Sequence, residues 1–180
     1  MSGVIDAGPR VREAVTVALD ILEREGRDAL TMRSLAGRMG IRAPSLYKHI
    51  RGKEELDALM IAEGFRRAGA ALHEASDAAP PGSTRTALLL AVAHAYRAWA
   101  LAHPHLYRLM TGGPLPRDRM PEGLEAWTAE PLVRAAGDPD LARAAFAFAH
   151  GMTILELDGR FPPGADLGGA WTAGVEALAR

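Results

Sequence analysis

The chain has no cysteine among its 180 residues. That excludes disulfides, a thiolate metal cage and a cysteine nucleophile. Lysine is nearly missing as well: two stand against 19 arginines, a bias for which we find no physical need. Ser, His and Asp do not occur in a triad order with supporting turns, and there is neither a Gly-rich phosphate loop nor a metal-ligand spacing. His103-Pro104-His105 brackets a helix start, so its imidazoles diverge; His150 and Glu156 are six apart, off any shared helix face. These gaps predict a protein that is not an enzyme and that holds neither cofactor nor metal. The opening MSGVIDAGPR lacks a basic start followed by an apolar run, so no signal peptide is expected. The longest charge-free apolar runs, 86–96 (TALLLAVAHAY) and 144–155 (AAFAFAHGMTIL), fall short of the ~20 residues a membrane span needs. The expectation is a soluble, cytoplasmic protein with no membrane partner.

Apolar residues make up 48% of the chain, enough for a core. Their spacing is helical, and no period-2 run of β-branched residues interrupts it, so the fold class is all-α with about nine helices. The first helix runs from Pro9 to about Arg24, with Val11, Val15, Ala18 and Leu22 on one face and Gly26 at its exit. Thr31 is the expected N-cap of a second helix whose Met32, Leu35, Ala36 and Met39 point inward. Ser34 stands where Glu would complete a capping box, so that cap is expected to be half made. Gly40 ends the helix, and Pro44 opens a short third one behind Ala43 as a weak N-cap. A long helix follows over 53–76, with Glu54 and Glu55 in its first turn. Further helices are expected over 84–103, 104–110, 122–136, 139–158 and 166–179, with a loop at 111–121. Leu88, Val92, Ala95, Trp99 and Ala102 share one face of the 84–103 helix. Residues 1–52 form a head and 53–180 a body.

The head holds nine Lys/Arg against six Asp/Glu, and the body twelve against sixteen, so the formal net charge of −1 conceals a balance of +3 on −4. Between Arg33 and Lys53 lie Arg33, Arg38, Arg42, Lys48, Arg51 and Lys53, with His49 and no acid. Two short helices about a Gly40 turn have the geometry of a helix-turn-helix. A third helix of that width fits the major groove, and flanking cations such as Arg42 neutralise phosphates. The head is therefore expected to bind double-stranded DNA.

The run LTMRSLAGRMGIRAPSLYKHIRGKEEL resembles the N-terminal domain of the TetR family of one-component transcriptional regulators. The matching positions are Thr31, Leu35-Ala36, Gly40, Leu46-Tyr47-Lys48-His49 and Lys53-Glu54-Glu55-Leu56, within about residues 9–56. The resemblance implies that Tyr47, His49 and Lys53 contact phosphates and that Thr31 faces the DNA backbone. Arg33 can hold a guanine through its bidentate fork. Ala43, Pro44, Ser45 and Lys48 are the remaining candidates for base contact. Ala43 can read only a thymine methyl, and Lys48 is long enough to reach phosphate instead.

For the body, the resemblance implies a small-molecule sensor and a homodimer joined through the helices at 139–158 and 166–179. Leu141, Ala145, Phe148, Met152 and Leu155 share one face of the former, with Ala144, Ala147, Gly151 and Ile154 beside it. That helix is apolar nearly all round and has to be buried on two sides. His150-Gly151 resembles a C-terminal domain type of the family marked by Trp shortly before His-Gly, with Phe146 where the Trp is usual. Candidate pocket residues are Tyr96, Trp99, His103, Met110, Phe146 and His150, each set against ordinary core packing. The reading is a ligand-responsive repressor released from a palindromic operator by a small, mostly apolar effector. Against it stand a helical-cavity enzyme with His150 as base, and an interaction protein without a DNA role.

Overall fold

A computed structural model of the chain describes residues 8–180. Residues 1–7, most of the stretch read for a leader sequence, lie outside the described residues. Among the described residues there are nine α-helices, one single-turn 3-10 helix and no strand. The helices are α1 (Pro9–Glu25), α2 (Met32–Arg38), α3 (Ala43–Tyr47), α4 (Lys53–Asp77), α5 (Arg85–Ala102), α6 (Pro104–Thr111), α7 (Leu124–Ala136), α8 (Pro139–Leu157) and α9 (Leu167–Leu178); the 3-10 turn is Arg117–Arg119. None of these helices is long and apolar enough to cross a membrane. The chain divides into two compact units. One holds the chain up to Arg66 with His103–Leu124; the other holds Arg67–Ala102 with Glu125–Arg180.

In the first unit, Pro9 sits in the opening turn of α1, and Gly26, at φ 84°, takes the left-handed conformation that lets the chain leave. Ala14, Val15, Ala18, Leu19, Ile21 and Leu22 form the buried face of α1. The α2 cap is more complete than the sequence rule suggests. The Ser34 amide donates to Thr31 Oγ1 at 3.0 Å, and Ser34 Oγ accepts the Thr31 amide at 2.9 Å, so both halves of a capping box are present. A hydroxyl is short, yet it can accept as a carboxylate does, and here it also donates to the Ala29 carbonyl at 2.7 Å. The N-cap of α3 is Arg42, not Ala43, and it makes no side-chain cap bond; Ala43 and Pro44 are the first two helical residues. Leu46 and Ile50 are fully buried beneath α3.

In the second unit, α5, α8 and α9 pack on one another around Leu89, Val92, Ala93, Ala142, Ala145, Ala149, Trp171 and Val175. Asp138 caps α8 through the amides of Asp140 and Leu141, and Asp166 caps α9 through that of Gly169. The inward face of α5 differs in part from the expected one. Leu89, Val92, Ala93 and Ala100 are buried; of the expected residues Val92 is among them, Leu88 and Ala95 pack half-buried against the same core, and Trp99 and Ala102 are not part of it. α5 is apolar on most sides, so its period selects no unique face. On α8 the buried stripe is Ala142, Ala145, Ala149 and Thr153; Leu141, Phe148 and Met152 pack at the core's margin and Leu155 is exposed. The Phe148 ring occupies the space a side chain at Gly174 would need, which fixes α9 close against α8. Arg97 Nε and Nη2 donate to the two Glu156 oxygens at 2.8 and 2.6 Å, and its guanidinium lies 5.9 Å from the Trp171 ring centre.

Candidate nucleic-acid interface

The capping box fixes where α2 begins, and with it the outward direction of Thr31 and Arg33. Gly40, at φ 66°, then reverses the chain within a turn that a Cβ would strain. The amide of Ile41 donates to the Ala36 carbonyl at 3.0 Å, closing that turn. α3 is pinned from below by Leu46 and Ile50, so the residues between them face outward: Tyr47, Lys48 and His49 are all exposed. Tyr47 is 49% exposed, a large ring with no role in the core of the head. Ala43 begins α3 and carries only a methyl, so it offers little surface. The expected DNA-facing residues, Ala43 apart, therefore lie together on the outside of α2 and α3 and at the start of α4.

The cations of this surface divide into two classes. Arg38 pairs with Glu25 of α1, Arg51 with Glu55, and Lys53 Nζ with Asp57 Oδ1 at 2.7 Å, Asp57 also receiving Arg27 at 3.4 Å. Arg33, Arg42 and Lys48 have no counter-ion among the described residues. Glu55 also accepts the backbone N–H of Arg51 at 2.6 Å, and that bond, together with the Arg51 guanidinium, holds its carboxyl below the usual carboxylate range despite some burial. Beside this end of α4 the 3-10 turn brings Arg119 Nη1 to 3.2 Å from Glu54, across a groove of about 750 Å³ lined by Arg51, Gly52, Lys53, Glu54, Glu55, Asp118 and Arg119.

The candidate pocket residues are dispersed. His103 is the N-cap of α6 without a side-chain cap bond, and Met110 lies on Gly64 of α4, both in the first unit. Tyr96, Trp99, Phe146 and His150 belong to the second. There Tyr96 meets Phe146 edge-on at 6.2 Å, and Phe146 stacks with His150 at 6.0 Å. Phe146 is 48% exposed. Burial of the neighbouring His150 imidazole lowers its pKa. Among the described residues no three His, Asp or Glu side chains converge as metal ligands would.

Two family models match the chain. Residues 14–59 match the family described as "Bacterial regulatory proteins, tetR family", and residues 89–178 match "Tetracyclin repressor-like, C-terminal domain". A relative in Mycobacterium tuberculosis, an uncharacterized HTH-type transcriptional regulator, is 33% identical over 159 residues, covering 79% of this chain and 67% of its own. The chain belongs to the TetR family of transcriptional regulators. A Rhodococcus protein of unknown function shares its fold at TM-score 0.80 and 28% identity, over 99% of this chain and 97% of that one. BioQ, solved with its natural double-stranded DNA operator, shares the fold at TM-score 0.62 and 20% identity, over 94% of this chain and 97% of that one. Matches to other curated relatives span about half of those proteins' length.

Three contacts of this TetR-family regulator escaped the sequence reading. Glu25 neutralises Arg38 from 13 residues away. Glu23 of α1 accepts the amide of Leu106 at 2.8 Å, closing the N-terminus of α6 that His103 leaves open. Arg119 reaches the start of α4 from a loop read only as a loop. Each joins elements distant in sequence, and charge alone named no partner for any of them.

Proposed function

We propose that this regulator is a ligand-responsive repressor, acting in the cytoplasm as a homodimer that holds two heads, residues 1–52, on a palindromic operator. The observation that carries the DNA contact is the α2–α3 surface, where Arg33, Arg42 and Lys48 stand without counter-ions beside an exposed Tyr47 and His49. Cations in that state release condensed counter-ions from phosphate without first breaking an ion pair. Thr31, Tyr47, His49 and Lys53 position the head on the backbone. On this reading Arg33, Pro44, Ser45 and Lys48 meet base edges, with Ala43 the weakest reader because a methyl makes no hydrogen bond.

Dimerisation is supported by α8 and α9. With one stripe of each buried in the second unit, Ala144, Ala147, Ala170, Ala173 and Ala177 lie outside it, with Gly151 beside them. Small side chains on two adjacent helices permit close approach of a second pair. A small, mostly apolar effector in the body, residues 53–180, then shifts α4 and alters head spacing, to the extent that it binds one conformation better than the other.

The test is selection of duplexes from a random pool by the purified protein. The expected yield is a palindrome with half-sites one helical turn, about 34 Å, apart, bound with steep salt dependence. Tyr47→Ala or Arg42→Ala is expected to lose most of that binding. Recovery of no sequence, or unchanged isotherms in both variants, rejects the assignment.

A further inference from the structure

α7 carries a proline in its interior, Pro131. Proline has no N–H, so the carbonyl four residues earlier, that of Trp127, has no partner within its own helix. His73 of α4 supplies one: its Nε2 lies 3.0 Å from the Trp127 oxygen. A carbonyl only accepts, so this contact places the hydrogen on Nε2. The same imidazole stacks on the Trp127 indole, with ring centres 4.7 Å apart and planes at 19°. One turn earlier on α4, Gly69 lies directly beneath that indole, and a Cβ there would come within 2.5 Å of it. Gly69 and His73 are four apart and share a helix face. Together they form a seat that takes both the ring and the freed carbonyl of one residue.

The grip continues toward the end of α4. His73 Nδ1 faces Glu130 Oε2 at 3.6 Å, too long for a hydrogen bond, and that oxygen is buried with no hydrogen-bond partner. Arg134, one turn further along α7, donates to Ser76 Oγ and Asp77 Oδ1, both at 2.7 Å. α7 thus holds α4 at three successive turns, the middle one at the carbonyl from which Pro131 withdraws the i+4 helical donor.

We propose that His73 is the positioning residue of α4: its bond to the carbonyl freed by Pro131 sets where α7 holds the helix and thereby how well the regulator binds DNA. This rests on the reading of α4 as the helix that transmits to the head. The bond has two states, closed on His73 or open to water, and no helical donor competes for the oxygen. The register of Trp127 on α4 is marked by Gly69, where a Cβ would meet its ring at 2.5 Å.

The test measures affinity for duplexes selected by the wild-type protein, together with the slope of log K against log salt. His73→Ala is expected to weaken binding by roughly tenfold, within the 5–150-fold span of typical couplings, with the slope unchanged because every phosphate contact remains. His73→Gln is expected to retain near wild-type affinity, since its amide can still donate to the Trp127 carbonyl. Pro131→Ala returns a helical donor to that carbonyl, so adding His73→Ala to it should cost little more: the two changes are non-additive. The proposal is overturned if His73→Ala binds as the wild type does, if Gln fails to rescue, or if the effects of His73 and Pro131 simply add. An Arg42→Ala variant run alongside separates the two readings. If it binds normally, the interface on the head is wrong, whatever His73 does.

Discussion

On α2 and α3 the outward side chains include cations without counter-ions, Arg33, Arg42 and Lys48; on α8 and α9 they include a set of small apolar ones, Ala144, Ala147, Ala170, Ala173 and Ala177. The first kind of surface is content in water and remains attractive to a polyanion, so its partner can come and go with ionic strength. The second is poorly hydrated over its alanines, with Asp140, Arg143 and Glu176 exposed among them, so its apolar part would suit a partner that stays. If both proposed contacts hold, the molecule separates a reversible one from a lasting one by chemistry.

The sharpest way to break that comparison is to remove the support beneath the apolar face. Trp171 is fully buried, edge-on to Phe148 and beneath Arg97. Trp171→Ala is expected to cost about 3–5 kcal/mol, read as a lowered urea midpoint, because the cavity left behind cannot collapse around three helices. A loss below about 1 kcal/mol would mean that α9 is held by contacts other than this core. Next in size is Ala147→Glu, which places a charge on the outer α8 face without touching the buried stripe. Sedimentation equilibrium should show a shift from dimer to monomer, with DNA affinity falling because a single head remains. A dimer unchanged by Ala147→Glu would move the interface off α8.

The head sharpens the comparison through its two classes of cation. Arg42→Ala is expected to lower the salt slope by about 0.9 for each phosphate that Arg42 neutralises, whereas Arg38→Ala should leave it nearly unchanged, since Arg38 is already engaged with Glu25. Equal slopes for the two variants would remove the distinction between paired and unpaired cations. Lys53 should fall between them, because phosphate must displace Asp57 from it.

The sequence assigned roles to Arg33, Arg42, Lys48 and Lys53 and none to Arg38 or Arg51. It could not show that Lys53 is paired with Asp57 while Arg33, Arg42 and Lys48 have no counter-ion among the described residues. Residues whose role is local were legible: Pro9, Gly26, Thr31, Gly40 and Pro44 each act on backbone within a few residues of themselves, and each lies where its chemistry places it. The capping rule failed at Ser34 because it asked for a carboxylate where a hydroxyl served. The faces of α5 and α8 were legible only in part, because helices apolar on most sides give their period little to select. Val92 and Ala145 are buried and Leu88, Ala95, Leu141, Phe148 and Met152 pack on the core, while Trp99, Ala102 and Leu155 do not. Glu23, Glu25 and His73 were silent because their partners lie on other helices. Among the proposed pocket residues, Tyr96, Phe146 and His150 do come into ring contact, while His103 and Met110 serve α6 in the other unit. Aromatic content alone did not distinguish these environments.

The smallest expected effect concerns His150, whose pKa burial moves downward from the ordinary value. A lowered folded-state pKa means that the unfolded chain takes up a proton before the folded one does. The contribution of His150 to stability is therefore complete above the ordinary imidazole value and declines as pH falls through it toward the folded pKa. Since α8 carries both His150 and the outer alanine face, acidification should loosen the body before it alters the arginines of the head, which stay charged. Urea midpoints between about pH 8 and 5 should slope downward in the wild type and less steeply in His150→Gln, where no imidazole titrates. Parallel slopes would show that His150 stays solvated enough to titrate alike in both states, and would place the acid sensitivity of the body elsewhere.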